Sequence, residues 1–528
     1  MRYAVSGNIA IQEALDFDVV VIGAGLAGLY TALNIEQSRS CCILTKERLD
    51  LSSSWLAQGG IAAAMAADDA PSLHLDDTLV AGAGLCDVDA VKVLVDEGPI
   101  DINALVELNV PFDQDAMGGL RIAREGGHSR RRVLHAGGDA TGKETVKALA
   151  RVVAERDNVT FMERAFLVDI LLDDTGTVCG ALIHAEGAYR IIHTRHLVIA
   201  TGGIGQVYLT TTNPEVATGD GIAAAVRAGA KLADMEFVQF HPTGLWQKGQ
   251  TGQTFLISET LRGEGGILRN SKGQAFMEGQ HERRDLAPRD IVARAINREM
   301  EQTGDPCAYL DMRHHPREFL LKRFPTIFEN CEKIGIDMSR DLIPVIPVQH
   351  YLIGGIETDL YARTSVPGLY VCGEAASTGV HGANRLAANS MLECLVFGRR
   401  AAQAINTDVG RGDPDAPSPN HIAPCHNHIT PPTYTPAIPN RKTVQIDTEA
   451  LRHRVQEIMG THGAVVREKA SLQRALDEIR TIKAEIEQGF DDRRVYIELL
   501  NIVTIAEAIL LAAVERQESV GAHYRKDG

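Results

Sequence analysis

Three groups of residues have types and spacings that could do chemistry. The first is Gly23-Ala24-Gly25-Leu26-Ala27-Gly28, which follows the apolar run Phe17 to Ile22 and opens a helical stretch through about Ser38. In such a turn the first glycine allows a tight bend and the second lets the backbone approach a pyrophosphate. The third lets helix and strand pack closely, and the helix N-terminus offers free N–H groups to phosphate oxygens. The general rule for this unit puts an acidic residue at the end of the next strand, where Glu47 is available with Lys46 beside it.

The second group, Ser52-Ser53-Ser54-Trp55-Leu56-Ala57-Gln58-Gly59-Gly60-Ile61, packs hydroxyls and glycines together without charge. It reads equally as a surface loop or as a wrapping of backbone and hydroxyl donors around a large polar cofactor. The third group is dispersed: His241-Pro242-Thr243, Ser258-Glu259, Arg262 to Gly266, Pro288-Arg289-Asp290, His350 and His381 to Arg385. Arginine grips a carboxylate as a planar fork, and histidine and serine complete an oxygen shell, so together they suit a small dicarboxylate. Singly, each reads as a solvated charge or a satisfied histidine, and spacing alone does not bring them together.

The elements that must position these groups follow from apolar patterning. Phe17 to Ile22, Cys41 to Thr45, His196 to Ala200 and Gly368 to Cys372 are short runs rich in β-branched or apolar residues, and three of them end in glycine-bearing turns. Interleaved with helices, they predict a doubly wound parallel sheet, an α/β fold. Between about 236 and 350, turns, charged helices and many Arg and His residues replace that pattern, so this block reads as an inserted capping domain. The expected division is 1–235 and 351–405 for the sheet domain, 236–350 for the insertion, 406–440 for a proline-rich linker and 441–528 for a helical domain. In the last, Leu472, Leu476, Ile479, Ile482 and Ile486 form a helical stripe, which predicts a bundle of about three helices.

Composition narrows the class. The chain has 528 residues, 45% hydrophobic and 23% charged, which suits a folded protein with a large core. Its net charge of −16 makes nucleic acid a poor partner, although one cleft can still be basic. No run of 18 apolar residues occurs, since Glu507 interrupts Ile502 to Val514, and the acidic N-terminal segment does not read as a signal peptide. The expectation is a cytoplasmic protein without a membrane contact. The nine cysteines lack any C-x-x-C pair and read as reduced thiols. His421, Cys425, His426 and His428 lie in the proline-rich stretch without a second ligand set, so no metal site is expected.

Taken in order, the motifs GAGLAG, AQGGIA, ATGG, HPTG, RGEGGIL, PRDIVARAI, HGANRLAANSMLECLVFG and ESVGAHYR resemble the flavoprotein family of succinate dehydrogenase, fumarate reductase and L-aspartate oxidase. The resemblance covers about the full length. It implies FAD bound between the sheet domain and a mobile cap, with a C-terminal three-helix domain. Where quinone-linked members carry a histidine that bonds covalently to FAD, this chain has Ser53, so noncovalent FAD is expected. Where they carry phenylalanine in an R-F-G-G segment, it has Glu125, in Arg124-Glu125-Gly126-Gly127. A buried carboxylate is costly beside succinate but useful beside the ammonium of an amino acid, so the resemblance points to the L-aspartate oxidase branch. A soluble fumarate reductase or a succinate dehydrogenase flavoprotein subunit is the alternative.

By position, the resemblance implies Arg289 as proton donor or acceptor, His350 and Arg385 on one substrate carboxylate, and His241 and Ser258 on the other. Glu259 would organise the cap side and Glu125 would orient the ammonium. For FAD it implies Gly23, Ala24, Gly25, Leu26 and Lys46, then Ser53, Ser54, Trp55, Leu56, Ala57, Gln58, Gly59 and Gly60, with Asp220, Glu374, Ser390 and Met391. Asp220 reads equally as a helix N-cap. The implied reaction converts L-aspartate to iminoaspartate, with oxygen or fumarate as electron acceptor and quinolinate synthase as metabolic partner in NAD biosynthesis. Near the C-terminus, Val520 stands where the family usually has arginine.

Overall fold

A computed structural model describes residues 2–7, 9–12, 14–407 and 438–528. At its centre is a five-stranded parallel sheet in the order Leu369–Val371, His196–Ile199, Val19–Ile22, Cys41–Thr45, Val159–Glu163. Alternate residues feed two separate cores. Val19, Val21, Cys41, Ile43 and Val198 pack beneath the helices Leu26–Asn34, Thr141–Ala154 and Asn389–Thr407. Val20, Ile22, Cys42, Leu44, Leu197 and Ile199 join the core on the other face. A parallel sheet covered on both faces needs apolar residues at every position, which is why these strands read as unbroken runs.

The first helix ends at Asn34, four residues short of the expected Ser38: Ile35 turns extended and buries its side chain in the core. The other face is covered by a four-stranded sheet that the motifs did not announce. Its order is Leu15–Asp16, Ala188–His193, Val178–Ala185, Ala165–Leu172. The N-terminal residues also belong to this core: Tyr3, Ala4 and Val5 are buried, and the Ala4 N–H donates to Asp169 Oδ2 at 2.7 Å.

The inserted part is built on a six-stranded sheet in which Val238–Leu245 pairs antiparallel with Ile343–Leu352. The short strand Thr210–Thr211, well before residue 236, joins the same sheet. Three helices follow near the C-terminus, Thr448–His462, Lys469–Glu487 and Arg494–Glu515, and Leu472, Leu476, Ile479, Ile482 and Ile486 are all buried. By length and composition Arg494–Glu515 could cross a membrane, but it packs in the core against its two neighbours and Asp220–Arg227. The fold is therefore a doubly wound domain with an inserted α+β cap and a C-terminal helical bundle.

No disulfide joins the eight described cysteines to one another, and no cluster of metal ligands occurs among the described residues. Cys41 and Cys42 enter opposite cores, as adjacent strand residues must. His421, Cys425, His426, His428 and most of the proline-rich linker lie outside the described residues.

Candidate active site

One cavity of about 260 Å3 runs from the glycine turn at the carboxyl ends of the parallel strands to the seam with the inserted part. This is where open parallel sheets bind ligands, because helix N-termini and strand ends converge there. Each glycine of the first motif has a distinct role. Gly23 has φ +116°, and a Cβ on it would lie 2.1 Å from the Ala200 carbonyl oxygen. A Cβ on Gly28 would lie 1.9 Å from the Gly23 carbonyl oxygen, so helix and turn could not close. Gly25 has no side chain with which to cap the helix that follows; the Leu26 N–H donates instead to Ser54 Oγ at 3.0 Å, which ties the second motif to the first.

The polar atoms and spaces along this half fit a flavin dinucleotide. Gln58 Oε1 and Thr201 Oγ1 are buried without partners, and Gly202 faces open space at φ +74°. Glu374 enters the wall only because Gly203 has no side chain: a Cβ there would lie 2.1 Å from its Oε1. Burial raises the Glu374 pKa to about 7, against the hydrogen bond it accepts from the Leu352 N–H. Gly23, Ala24, Gly25, Leu26, Lys46, Ser53, Ser54, Leu56, Ala57, Gln58, Gly59, Gly60, Asp220, Glu374, Ser390 and Met391 all line the cavity.

Trp55 does not. Its ring turns away, packs on the core beneath Leu26–Asn34 and Thr141–Ala154, and lies 5.7 Å from the Lys147 ammonium. The reason is local: Ser52 Oγ accepts from the Trp55 N–H and starts a single helical turn, Ser53–Leu56, which points Trp55 outward. Asp220 is not an N-cap either. Gly219, left-handed at φ +73°, holds that position, and Asp220 is the first helical residue. Its carboxylate accepts from Lys46 at 2.7 Å, Asn501 at 2.8 Å and Thr218 at 2.8 Å. Lys46 also pairs with Glu498 at 2.8 Å, and neighbouring Glu47 pairs with Arg494 at 2.8 Å.

At the other end the dispersed residues converge. Arg289 donates to Glu259 Oε2 at 2.6 Å and to Gln239 Oε1 at 3.0 Å. Arg262 flanks the other oxygen of Glu259 at 3.2 Å. Arg385 stacks on Tyr351, 4.3 Å from its centroid, and donates to Ser390 Oγ at 2.8 Å, while its Nε is buried without a partner. Burial and Arg289 lower its pKa to about 10, still well above neutrality.

His241 and His350 meet edge to face, with centroids 5.1 Å apart. Burial, with Arg289 and Arg385 nearby, pushes both well below the usual imidazole range, so both are neutral. His241 Nδ1 accepts from the Thr243 N–H at 3.2 Å, which puts the ring proton on Nε2, a buried donor without a partner. His350 Nδ1 meets Thr212 Oγ1 at 2.7 Å.

Glu125 sits among these groups. Burial would raise its pKa, but the hydrogen bond with His135, at 3.2 Å, and the neighbouring His135, His128 and Arg289 outweigh it and hold the pKa at about 2. The site therefore presents buried cations, two of them paired with Glu259, and a lone imidazole N–H beside the ionised carboxylate of Glu125. It can hold a small dianion that also carries a cation.

Gln239, Tyr351, Thr260 and His135 were not anticipated. Gln239 had a signal, an amide within the apolar run Phe237 to Phe240, and it bridges Arg289 to the Arg385 carbonyl at 2.9 Å.

A family model described as an FAD binding domain matches residues 18–391, and one described as fumarate reductase flavoprotein C-term matches 452–528. An L-aspartate oxidase of Streptomyces coelicolor is 44% identical across 97% of this chain and 89% of its own length. L-aspartate oxidase 1 of Ralstonia nicotianae is 43% identical across 97% and 96%. A solved E. coli quinol fumarate reductase mutant superposes with a TM-score of 0.86 at 30% identity, covering 98% of this chain and 92% of its own. The chain belongs to the L-aspartate oxidase family of FAD-dependent flavoproteins.

Proposed function

We propose that this chain oxidises L-aspartate to iminoaspartate, and that the observation carrying this reading is ionised Glu125 beside Arg289, Arg385 and the unpartnered N–H of His241. Arg385 and His350 hold one carboxylate of the substrate; His241, donating through Nε2, and Ser258 hold the other. Glu125 accepts from the ammonium, which fixes the α-carbon between three anchors, where orientation lowers the barrier most. A proton that leaves the substrate through Arg289 has Glu259, 2.6 Å away, as its next station. A bound FAD would supply the acceptor for the α-carbon hydride and the route of its electrons to oxygen or fumarate.

Ser53 supports noncovalent FAD, since a hydroxyl there is no match for the nucleophilic imidazole of the covalently linked relatives. The cap reading, residues 236–350 closing on a sheet domain formed by 1–235 and 351–405, is part of the same proposal. So are a cytoplasmic site of action, supported by the burial of Arg494–Glu515, and a metabolic place ahead of quinolinate synthase in NAD biosynthesis. The test is anaerobic bleaching of the flavin band in the purified chain. L-aspartate should bleach it and succinate should not; bleaching by succinate alone overturns the assignment.

A further inference from the structure

Glu125 is useful to an amino-acid substrate only if its carboxylate keeps one orientation, and three residues outside the assigned set bear on that. Oxygen Oε1 lies 3.2 Å from His135 Nε2 and accepts from Thr260 Oγ1 at 3.2 Å. His135 is buried and follows the strand Val133–Leu134; it does not line the cavity. Thr260 comes from the inserted part and follows Glu259, so the two donors reach Glu125 from opposite sides of the seam. Gly126 completes the approach: a Cβ there would lie 2.3 Å from Glu259 Oε1, so only glycine lets the loop come this near.

We infer that His135 and Thr260 are positioning residues that tie down Oε1 of Glu125 and leave Oε2 to receive the substrate ammonium. The inference rests on the proposed reaction and assigns its amino-group selectivity to a pair behind the carboxylate. Proton counting supports the arrangement. Ionised Glu125 can only accept, so Thr260 must donate to it, and the Thr260 oxygen then accepts from Ser258 Oγ at 3.0 Å. A substrate carboxylate that draws the Ser258 proton away leaves both donors to Glu125 in place. Recognition of the carboxylate and of the ammonium can therefore occur together.

The test compares His135→Ala, His135→Gln and Thr260→Val in the FAD-loaded chain, with flavin content and thermal midpoint as controls for folding. The Kd of L-aspartate is read anaerobically from the flavin spectrum before reduction, alongside that of succinate, which carries no ammonium. Losing one hydrogen bond to a charged group should raise the L-aspartate Kd about tenfold or more in His135→Ala, while the succinate Kd moves less than about threefold. His135→Gln, whose side-chain amide can donate from a similar place, should recover most of the loss. Thr260→Val should repeat the selective effect more weakly.

Equal losses for both ligands, or an unchanged L-aspartate Kd, overturn the positioning role while leaving the proposed reaction intact. A parent chain that binds and is bleached by succinate but not by L-aspartate overturns the reaction and the positioning role with it.

Discussion

His241 shows how little of a residue's role lies in its own identity. Its pKa is pushed below the usual range by burial and by Arg289, His350, Arg262 and Arg385, and Thr243 selects its tautomer. In the proposed reaction it serves as a neutral donor, so its contribution should not depend on pH. His241→Gln should lower kcat/KM for L-aspartate by the same factor, about 10 to 100, at every pH from 6 to 9, as measured by anaerobic flavin reduction. A break near 6.5 that vanishes in the variant would contradict this. Glu125 makes a sharper case. Glu125→Phe should cut kcat/KM for L-aspartate about a hundredfold or more and fumarate reduction less than tenfold, because only the first loses a charged partner. Equal losses in the two assays would remove Glu125 from ammonium recognition.

At the scale of elements, the first strand, turn and helix form one rigid unit whose closeness depends on missing side chains. Gly28→Ala places a methyl 1.9 Å from the Gly23 carbonyl oxygen, which can be relieved only by moving the helix off the strand. We expect a loss of about 1–3 kcal/mol of stability and of most bound FAD, read by thermal unfolding and by flavin content after gel filtration. This unit was legible in the sequence because its runs, glycines and spacing are all local. The meander Ala165–His193 was not: Asp169 breaks the apolar run of its first strand, and only the fold shows that Arg227, at 2.6 Å, and the Ala4 N–H match that charge.

The same contrast holds in the site. The motif residues could be named from the chain, but the groups that aim them could not. Gln239 and Asn384 meet across 145 residues of sequence, and Tyr351 supports Arg385 from the separate strand Ile343–Leu352. Trp55 misses the cavity for the opposite reason. It stands inside a strong motif, yet a helix occupying one turn rotates it to the far side.

For the whole molecule, a net charge of −16 surrounds a cavity whose substrate end is lined by Arg289 and Arg385. Bulk charge and site charge are independent at this distance because surface charges are screened over about 10 Å at moderate salt, while buried ones are not. The C-terminal bundle reaches the cavity as well. Glu498, on Arg494–Glu515, is held ionised against its burial by Lys46 and Arg494, and Lys46 in turn holds Asp220 on the cavity wall. Glu498→Gln should weaken FAD about tenfold, measured as the fluorescence regained by released flavin, with no change in selectivity between L-aspartate and succinate.

That ion pair joins position 46 to position 498, and Leu369–Val371 completes the edge of the parallel sheet beside His196–Ile199. During synthesis the glycine turn leaves the ribosome several hundred residues ahead of Glu498, so its ligand pocket lacks a wall until the C-terminal bundle has emerged. Capture of FAD is thus a late event in the life of a nascent chain, and the early half must wait, folded or shielded, for residues made several hundred codons later.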